Sequence, residues 1–342
     1  MKIVHVISGL NAGGAERFVL ELCRQSLDDT RTDMCVLTLA GADKLSKEFA
    51  AAGITLIAVP HASAKRSLKA FAGFRKLLRM RVDVIHAHMF HACMVACAVK
   101  CFRPSLKIIF TLHNNYVPQL HRRLLLFLTK GFRKADVVLP GLKRKWFQKK
   151  NATEIPIGID VRKFEHLHAD KPPVFACAFI GRLSPEKNPL QLIHIAKALS
   201  EKHNFVIRVA GDGILKDVLK KSVVDEHLGE HFILHGYVED VRQLLMESHC
   251  LLIPSHWEGM PLVLIEAGAA GVPVVAAPVG NIPFILNSSN GYVGEVDQFP
   301  RLIENVMNNY GDALIKARNL MQKVRDEFSI QSCYQQHVTL YA

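Results

Sequence analysis

None of the eight cysteines forms a C-x-x-C pair, only two tryptophans occur in 342 residues, and no Asp-x-Asp triplet is present. Without paired thiols the chain has neither a redox dithiol nor a zinc-ribbon framework, and its cysteines read as reduced core thiols. Cys93, Cys97 and Cys101 form one stripe of a helix, a spacing that suits burial better than metal or redox chemistry. No export signal is visible: after Lys2 the apolar run Ile3–Ile7 breaks at Ser8-Gly9. A cytoplasmic protein is therefore expected. The longest charge-free stretch, Ala267 to Gly294, is interrupted by Pro273, Pro278, Pro283, Gly268, Gly271 and Gly280. A lipid-exposed helix would not tolerate these breaks, so buried strands and turns are expected there.

The chain does have apolar material for two cores. Hydrophobic residues make up 49% and charged residues 22%, which excludes a disordered or fibrous chain. The net charge of +12 is segregated. Residues 1–170 hold 28 Lys+Arg against 13 Asp+Glu, a balance of +15, and residues 171–342 hold 15 against 18, a balance of −3. The first half seeks an anionic partner. Nucleic acid is disfavoured as that partner, because aromatic residues are 8% and no recognised nucleic-acid module appears.

Short runs that are apolar throughout alternate with segments of helical periodicity. Strands are expected at Met1–Ser8, Met34–Leu39, Ile54–Val59, Val82–Ala87, Lys107–Leu112 and Asp136–Leu139, with helices such as Ala15–Ser26, Ser67–Arg79 and His91–Cys101 between them. The pattern restarts with strands at Val174–Ile180, Phe205–Ala210, Phe232–His235, Cys250–Pro254 and Pro273–Ala277. Helices are expected at Pro189–Leu199, Ile214–Val224, Val241–Glu247 and Leu262–Ala270. Two tandem, doubly wound α/β domains follow, with parallel sheets covered on both faces. The boundary is placed in the polar stretch Arg162–Pro173, giving domains at 1–165 and 166–327, and the tail from Gln298 is helical. Ligands of such sheets bind outside the carboxyl ends of the strands, so the loops after the strands, facing a cleft between the domains, are where chemistry is expected.

Three such loops stand out. Gly9-Leu10-Asn11-Ala12-Gly13-Gly14-Ala15 follows the first strand and opens a helix, as an anion-binding turn or simply a tight connection. Gly181-Arg182-Leu183-Ser184-Pro185-Glu186-Lys187-Asn188 places two cations five positions apart, suited to phosphate oxygens or to a surface ion pair with Glu186. Trp257-Glu258-Gly259-Met260-Pro261-Leu262-Val263-Leu264-Ile265-Glu266 carries two carboxylates eight positions apart. Pro261 suits the first helical turn, so the amides of Leu262 and Val263 would be open to an anion. Glu266 is the lone charge between Met260 and Gly294; as a buried carboxylate it needs a partner, a vicinal diol or a buried ion pair.

Taken in order, Gly13-Gly14-Ala15-Glu16, Gly181–Pro189, Gly211-Asp212-Gly213, Gly236-Tyr237 and Glu258…Glu266 resemble glycosyltransferase family 4 over nearly the whole chain. The resemblance implies the GT-B fold, two Rossmann-like domains facing across a cleft, and a retaining transferase that uses a nucleotide-diphosphate sugar, a UDP-sugar first of all. It further implies that Arg182 and Lys187 bind the diphosphate, that Glu258 contacts the donor sugar, and that Glu266 holds the ribose. Gly181, Gly211 and Met260 would line the donor site, Leu262 and Val263 would give amides to phosphate, and Tyr237 and Val238 would lie beside the base. From the first domain, Gly14 would line the cleft and His113 would contact the donor sugar. The last helix, about 328–342, is implied to pack back on the first domain. The sequence departs from the family at Pro156-Ile157-Gly158-Ile159-Asp160, where an Asn usually follows the Pro. With no Asp-x-Asp motif, no essential metal or cofactor is expected; Arg182, Lys187 and a helix N-terminus would do the cation's work.

The basic half points to an acceptor. Between Lys107 and Lys150 there are 11 Lys+Arg and one acid, Asp136, interleaved with apolar residues at His121-Arg122-Arg123-Leu124-Leu125-Leu126-Phe127-Leu128 and Lys143-Arg144-Lys145-Trp146-Phe147. That pattern fits an anionic membrane surface, hence a domain that sits on the inner leaflet and takes a lipid-linked acceptor, with a soluble anionic glycan as a further option. Together with the family resemblance it implies a peripheral enzyme that takes a lipid-linked or glycan acceptor in cell-surface polysaccharide (including lipopolysaccharide) synthesis. A solvated basic face is the plainer reading. A GT-B-fold nucleotide-sugar isomerase or epimerase, acting without an acceptor, is the alternative function. His86-Ala87-His88-Met89-Phe90-His91 invites a metal reading, but with no nearby acid, cleft lining or strand-end packing is favoured.

Overall fold

Near-continuous apolar runs such as Ile3–Ile7, broken only by His5, and Cys250–Ile253 call for burial on both faces, and the computed structural model builds them into two all-parallel sheets. It describes residues 1–10, 14–39, 45–59, 66–113, 117–141, 145–164 and 170–342, with the backbone alone at 66–69. Asn11, Ala12, Gly13, Lys143, Arg144 and part of the 162–173 stretch therefore lie outside the described residues.

The first sheet contains β1 (Lys2–Ile7), β2 (Asp33–Thr38), β3 (Leu56–Ala58), β4 (Val84–His88), β5 (Lys107–Thr111), β6 (Ala135–Val138) and β7 (Thr153–Glu154), in the order β3-β2-β1-β4-β5-β6-β7. The second contains β8 (Phe175–Ile180), β9 (Phe205–Ala210), β10 (Phe232–Gly236), β11 (Cys250–Ile253), β12 (Val274–Ala276) and β13 (Tyr292–Val293), in the order β10-β9-β8-β11-β12-β13. Each is doubly wound, with strand order reversing at β1/β4 and at β8/β11. At those switch points the connecting loops diverge and leave room for a ligand.

The chain divides into Met1–Gly158 with Ile330–Ala342, and Ile159–Ser329. The first unit is thus discontinuous. Its closing helix, Ile330–Tyr341, packs beside the helix Gly14–Ser26. Polar contacts fix it: Tyr334 Oη lies 2.6 Å from Thr32 Oγ1 and donates to Asp29 at 2.9 Å, while Tyr341 Oη lies 2.7 Å from His86 Nδ1.

In the second unit the helix Leu262–Ala269 lies against the helix Tyr310–Glu327 through Gly268. A methyl there would come within 2.7 Å of Val324 Cγ2 and 2.9 Å of Leu320 Cγ. Gly268→Val is accordingly expected to destabilise this unit by about 1–3 kcal/mol through overpacking, read as a lower denaturant midpoint at unchanged slope. The cysteine stripe is core material at Cys93 and Cys97, while Cys101 is exposed; all eight thiols are free.

Candidate functional site

At the switch point of the second sheet, loops leave the carboxyl ends of β8, β9, β11 and β12 and interlock through glycines. A side chain on Gly211 would collide with the carbonyl of Gly181, and one on Gly213 with that of Leu183. This close approach lets Gly181 N–H donate to Ala210 O (3.0 Å), Leu183 N–H to Asp212 O (2.9 Å) and Gly211 N–H to Gly236 O (2.6 Å). Gly181, Gly211 and Gly236 are thereby stitched across three strand ends, with exposed Tyr237 and half-buried Val238 next in line.

The loop after β8 turns through a 3-10 helix, Pro185–Lys187, and Asn188 closes it in the left-handed region (φ 51°). Asn188 Nδ2 donates to Pro254 O at 3.1 Å, and the Glu186 carbonyl accepts from His256 N–H (2.9 Å) and Trp257 N–H (3.3 Å). The β8 and β11 loops thus form one substructure. At its centre Lys187 Nζ donates to both oxygens of Glu258, each at 2.6 Å, and Ser255 Oγ donates to Oε1 at 2.7 Å. Glu258 is 5% exposed. A buried carboxylate is costly unless paired and hydrogen-bonded, and these partners meet that need. Behind it Gly280 (φ 56°) rests on the Glu258 carbonyl so closely that no side chain fits.

The surface ion pair considered for Glu186 is absent among the described residues; Lys187 turns to Glu258 instead. The Glu186 carboxyl is held below its usual range by the Ser184 hydroxyl first, then by its own amide, with Arg182 and Lys187 adding attraction. The Arg182 side chain is exposed and makes no hydrogen bond or ion pair among the described residues, its carbonyl alone accepting from Ser184 N–H at 2.9 Å. It is the open cation of the loop.

The helix Leu262–Ala269 begins one residue after Pro261, whose extended conformation (φ −72°, ψ 108°) makes it the cap rather than a helical residue. No side chain caps it, and among the described residues the amides of Leu262 and Val263 find no acceptor. Leu262, Val263 and Glu266 share a half-buried face, while Leu264, Ile265, Ala267 and Gly268 turn inward and Met260 is buried. This corrects one expectation. Glu266 is not a buried charge, because the apolar residues around it cover the opposite side of the helix.

Neither Ser255 nor Gly280 is a site candidate in the sequence, where Gly280 reads only as a break in an apolar stretch. Ser255 had a signal in its spacing of three from Glu258. Gly280 had none beyond lying in a loop after a strand.

Gly14 and His113 belong to the first unit. Gly14 is exposed at the start of its helix. His113, just beyond β5, is 8% exposed and joins a group of buried histidines. Alternation along β4 turns His86 and His88 to one face, and β1 adds His5 and the closing helix His337. One nitrogen each of His5, His86 and His88 lie within 4.8 Å of one another, a grouping that by distance could hold a metal ion. All six ring nitrogens already have partners, however. His86 meets Tyr341 Oη (2.7 Å) and Thr111 Oγ1 (2.8 Å), His5 meets Met34 Sδ (3.4 Å) and His88 (3.0 Å), and His88 meets His113 (2.8 Å). His91 stands apart on the following helix, half-exposed. Burial lowers the pKa of every ring in the group, to about 3 for His5 and about 4 for His113 and His337, so all are neutral.

Residues 159–326 match the family model described as glycosyl transferases group 1, and residues 12–140 match glycosyltransferase family 4. An Escherichia coli protein named UDP-Gal:alpha-D-GlcNAc-diphosphoundecaprenol alpha-1,3-galactosyltransferase is 30% identical over 193 residues, covering 52% of this chain and half of its own length. A Campylobacter jejuni alpha-1,4-N-acetyl-D-galactosaminyltransferase, named for an undecaprenol-linked acceptor, is 28% identical over 281 residues, covering 78% of this chain and 76% of its own. The fold is that of HepE from Anabaena, solved with UDP and glucose (TM-score 0.84, 18% identity, 99% and 98% of the two chains), and of a Rickettsia africae glycosyltransferase (TM-score 0.86, 16% identity, 99% and 97%). The chain is a GT-B glycosyltransferase of the family 4 type.

Proposed function

We propose that this enzyme transfers a hexose, with retention of anomeric configuration, from a UDP-sugar to a lipid-linked or glycan acceptor in cell-surface polymer synthesis. The observation that carries the reading is the Lys187–Glu258 pair at the β8/β11 switch point, beside the open cation Arg182 and the uncapped amides of Leu262 and Val263. The bidentate contact uses two of the three ammonium N–H groups of Lys187. The third is available to a phosphate oxygen, so Glu258 aims the cation at the diphosphate as well as facing the sugar.

Breaking the anomeric C–O bond builds charge on the leaving UDP, and fixed cations and amides stabilise that charge most in the transition state. The acceptor oxygen attacks from the face that UDP leaves, and the departing phosphate oxygen takes its proton. In this reading Glu266 holds the ribose, Tyr237 and Val238 lie beside the base, His113 meets the donor sugar, and no metal is required. The names of the E. coli and Campylobacter relatives, with their undecaprenol-linked acceptors, support the acceptor class.

Thermal stabilisation and slow hydrolysis, screened across UDP-glucose, UDP-galactose and UDP-N-acetylglucosamine, test the donor. Stabilisation by at least one, with release of UDP, is expected. Conversion of the sugar without UDP release would mean an isomerase.

An anionic membrane surface is proposed as the docking partner. Leu120, Leu124, Leu125, Phe127, Leu128 and Trp146 are all exposed, with Arg122, Arg123, Lys145 and Lys150 among them. Arg133, counted with the basic face from sequence, is instead buried: it pairs with Asp136 at 3.3 Å and donates to Leu126 O and Phe147 O. No helix among the described residues is long and apolar enough to cross a membrane. Co-sedimentation with phosphatidylglycerol vesicles at low salt is expected, at about 1 kcal/mol per engaged cation. Leu124→Asp with Leu128→Asp should reduce it at least tenfold.

A further inference from the structure

The buried histidines of the first unit form a directional chain: Met34 Sδ, His5, His88 and His113 follow one another at 3.4, 3.0 and 2.8 Å. We propose that Met34, His5 and His88 act as a tautomer relay that keeps the proton of His113 on Nε2 and presents Nδ1 as a bare acceptor to a hydroxyl of the donor sugar. The inference rests on the nucleotide-sugar reading given above.

The direction follows from the inventory of donors and acceptors. A thioether has no hydrogen to give, so at its contact with Met34 His5 must be the donor, through Nε2–H. A neutral imidazole carries one proton, and these rings are neutral because burial opposes their charging. His5 Nδ1 is therefore an acceptor, and His88 Nε2–H must donate to it. That leaves His88 Nδ1 as acceptor, and His113 Nε2–H must donate to it in turn. His113 Nδ1 ends the chain as a lone pair.

A second observation gives the same polarity. His113 Nδ1 is buried and has no partner among the described residues. The reverse polarity would leave a buried N–H there, and orphaned N–H groups are rarer than under-satisfied acceptors. A lone pair without a protein partner is suited to one ligand group, a donor O–H. His86 takes no part in the relay, since its two nitrogens are engaged by Tyr341 and Thr111. The remaining groups against these rings, His337, Tyr341 and Cys333, are neutral as well.

In this account His113 is a binding residue, and Met34, His5 and His88 are positioning residues that never touch substrate. The site accepts a donor with a hydroxyl at that point. It disfavours one that places an acceptor-only group there, because two lone pairs would then face each other.

The test is nitrogen-15 NMR of the full chain labelled at histidine, combined with steady-state kinetics on whichever of UDP-glucose, UDP-galactose and UDP-N-acetylglucosamine it hydrolyses. In the wild type His5, His88 and His113 should all carry Nε2–H at pH 7. Met34→Leu keeps the volume and removes the acceptor; the three rings should become tautomer mixtures, and KM should rise by up to about tenfold with kcat within twofold, the pattern of lost uniform binding. His88→Leu should raise KM at least as much. His88→Asn, whose amide oxygen can take the place of Nδ1, should bring KM back to within about threefold of wild type. A proton on His113 Nδ1 in the wild type, or unchanged tautomers in Met34→Leu, overturns the relay while UDP-sugar turnover would leave the functional reading standing. Nε2–H on all three rings with no binding of any of the three donors overturns the hydroxyl assignment through the functional reading itself.

Discussion

Arg182→Ala and Lys187→Ala should each lower kcat by two to three orders of magnitude, the cost of removing one fixed donor from a developing negative charge, while differing sharply in stability. Arg182 is exposed and makes no ion pair among the described residues, so its removal should leave the unfolding midpoint unchanged. Lys187 is the sole cation paired with Glu258 among the described residues. Its loss strands a carboxylate that is 5% exposed, at a cost of a few kcal/mol, tempered because the Lys187 side chain is itself 30% exposed. Glu258→Gln alongside Lys187→Ala should recover most of that stability without recovering turnover. The measurements are single-turnover UDP release and urea unfolding. Wild-type turnover in both single variants would remove the diphosphate-binding assignment.

Lowering the pH from 7 to 5 should unfold the first unit well before the second. Five buried rings, His5, His86, His88, His113 and His337, have pKa values depressed by burial, to about 3 for His5 and about 4 for His113 and His337. Well above pH 6.5 the rings are neutral in both states and nothing is lost. Below it the unfolded chain binds protons that the folded unit refuses, so stability declines as pH falls from 6.5 toward 4. At pH 5 His5, His113 and His337 each oppose folding by about 2 kcal/mol. Together these three reach about 6 kcal/mol, a large share of a domain's whole stability, and His86 and His88 act in the same direction. Among the described residues, no histidine of the second unit is buried to this degree. The two tryptophans fall one to a unit, Trp146 and Trp257, so Trp146→Phe and Trp257→Phe variants report each transition separately. Coincident transitions at pH 5 would contradict this.

The fold was largely legible because strands buried on both faces leave a composition that no half-exposed element shares. β8 and β9 fall where the apolar runs place them. β7 and β13, two residues each, were not foreseen, since so short a pairing carries no periodicity. The site was legible as motifs but not as contacts. Lys187 and Glu258 are 71 positions apart, and nothing local says that they meet. Glu266 misled because its neighbours are apolar, yet a helix can bury Ile265 and Ala267 while turning the residue between them outward. His86 and His88 announce a shared face by alternation, but the rings completing their cluster come from β1, the end of β5 and a helix more than two hundred residues away.

That last separation bears on biosynthesis. Strands β1 to β7 leave the ribosome early, but the segment that supplies Tyr341 to His86 and Tyr334 to Thr32 emerges only after all of Ile159–Ser329. Closing so long a loop adds little entropy cost once an intervening body has folded and brought its ends together at the Ile159–Ser329 bridge. The nascent first half must therefore wait, with its histidine face open, for the second half to deliver its cover. Stalling translation before residue 330 should leave a species that chaperones hold and proteases find.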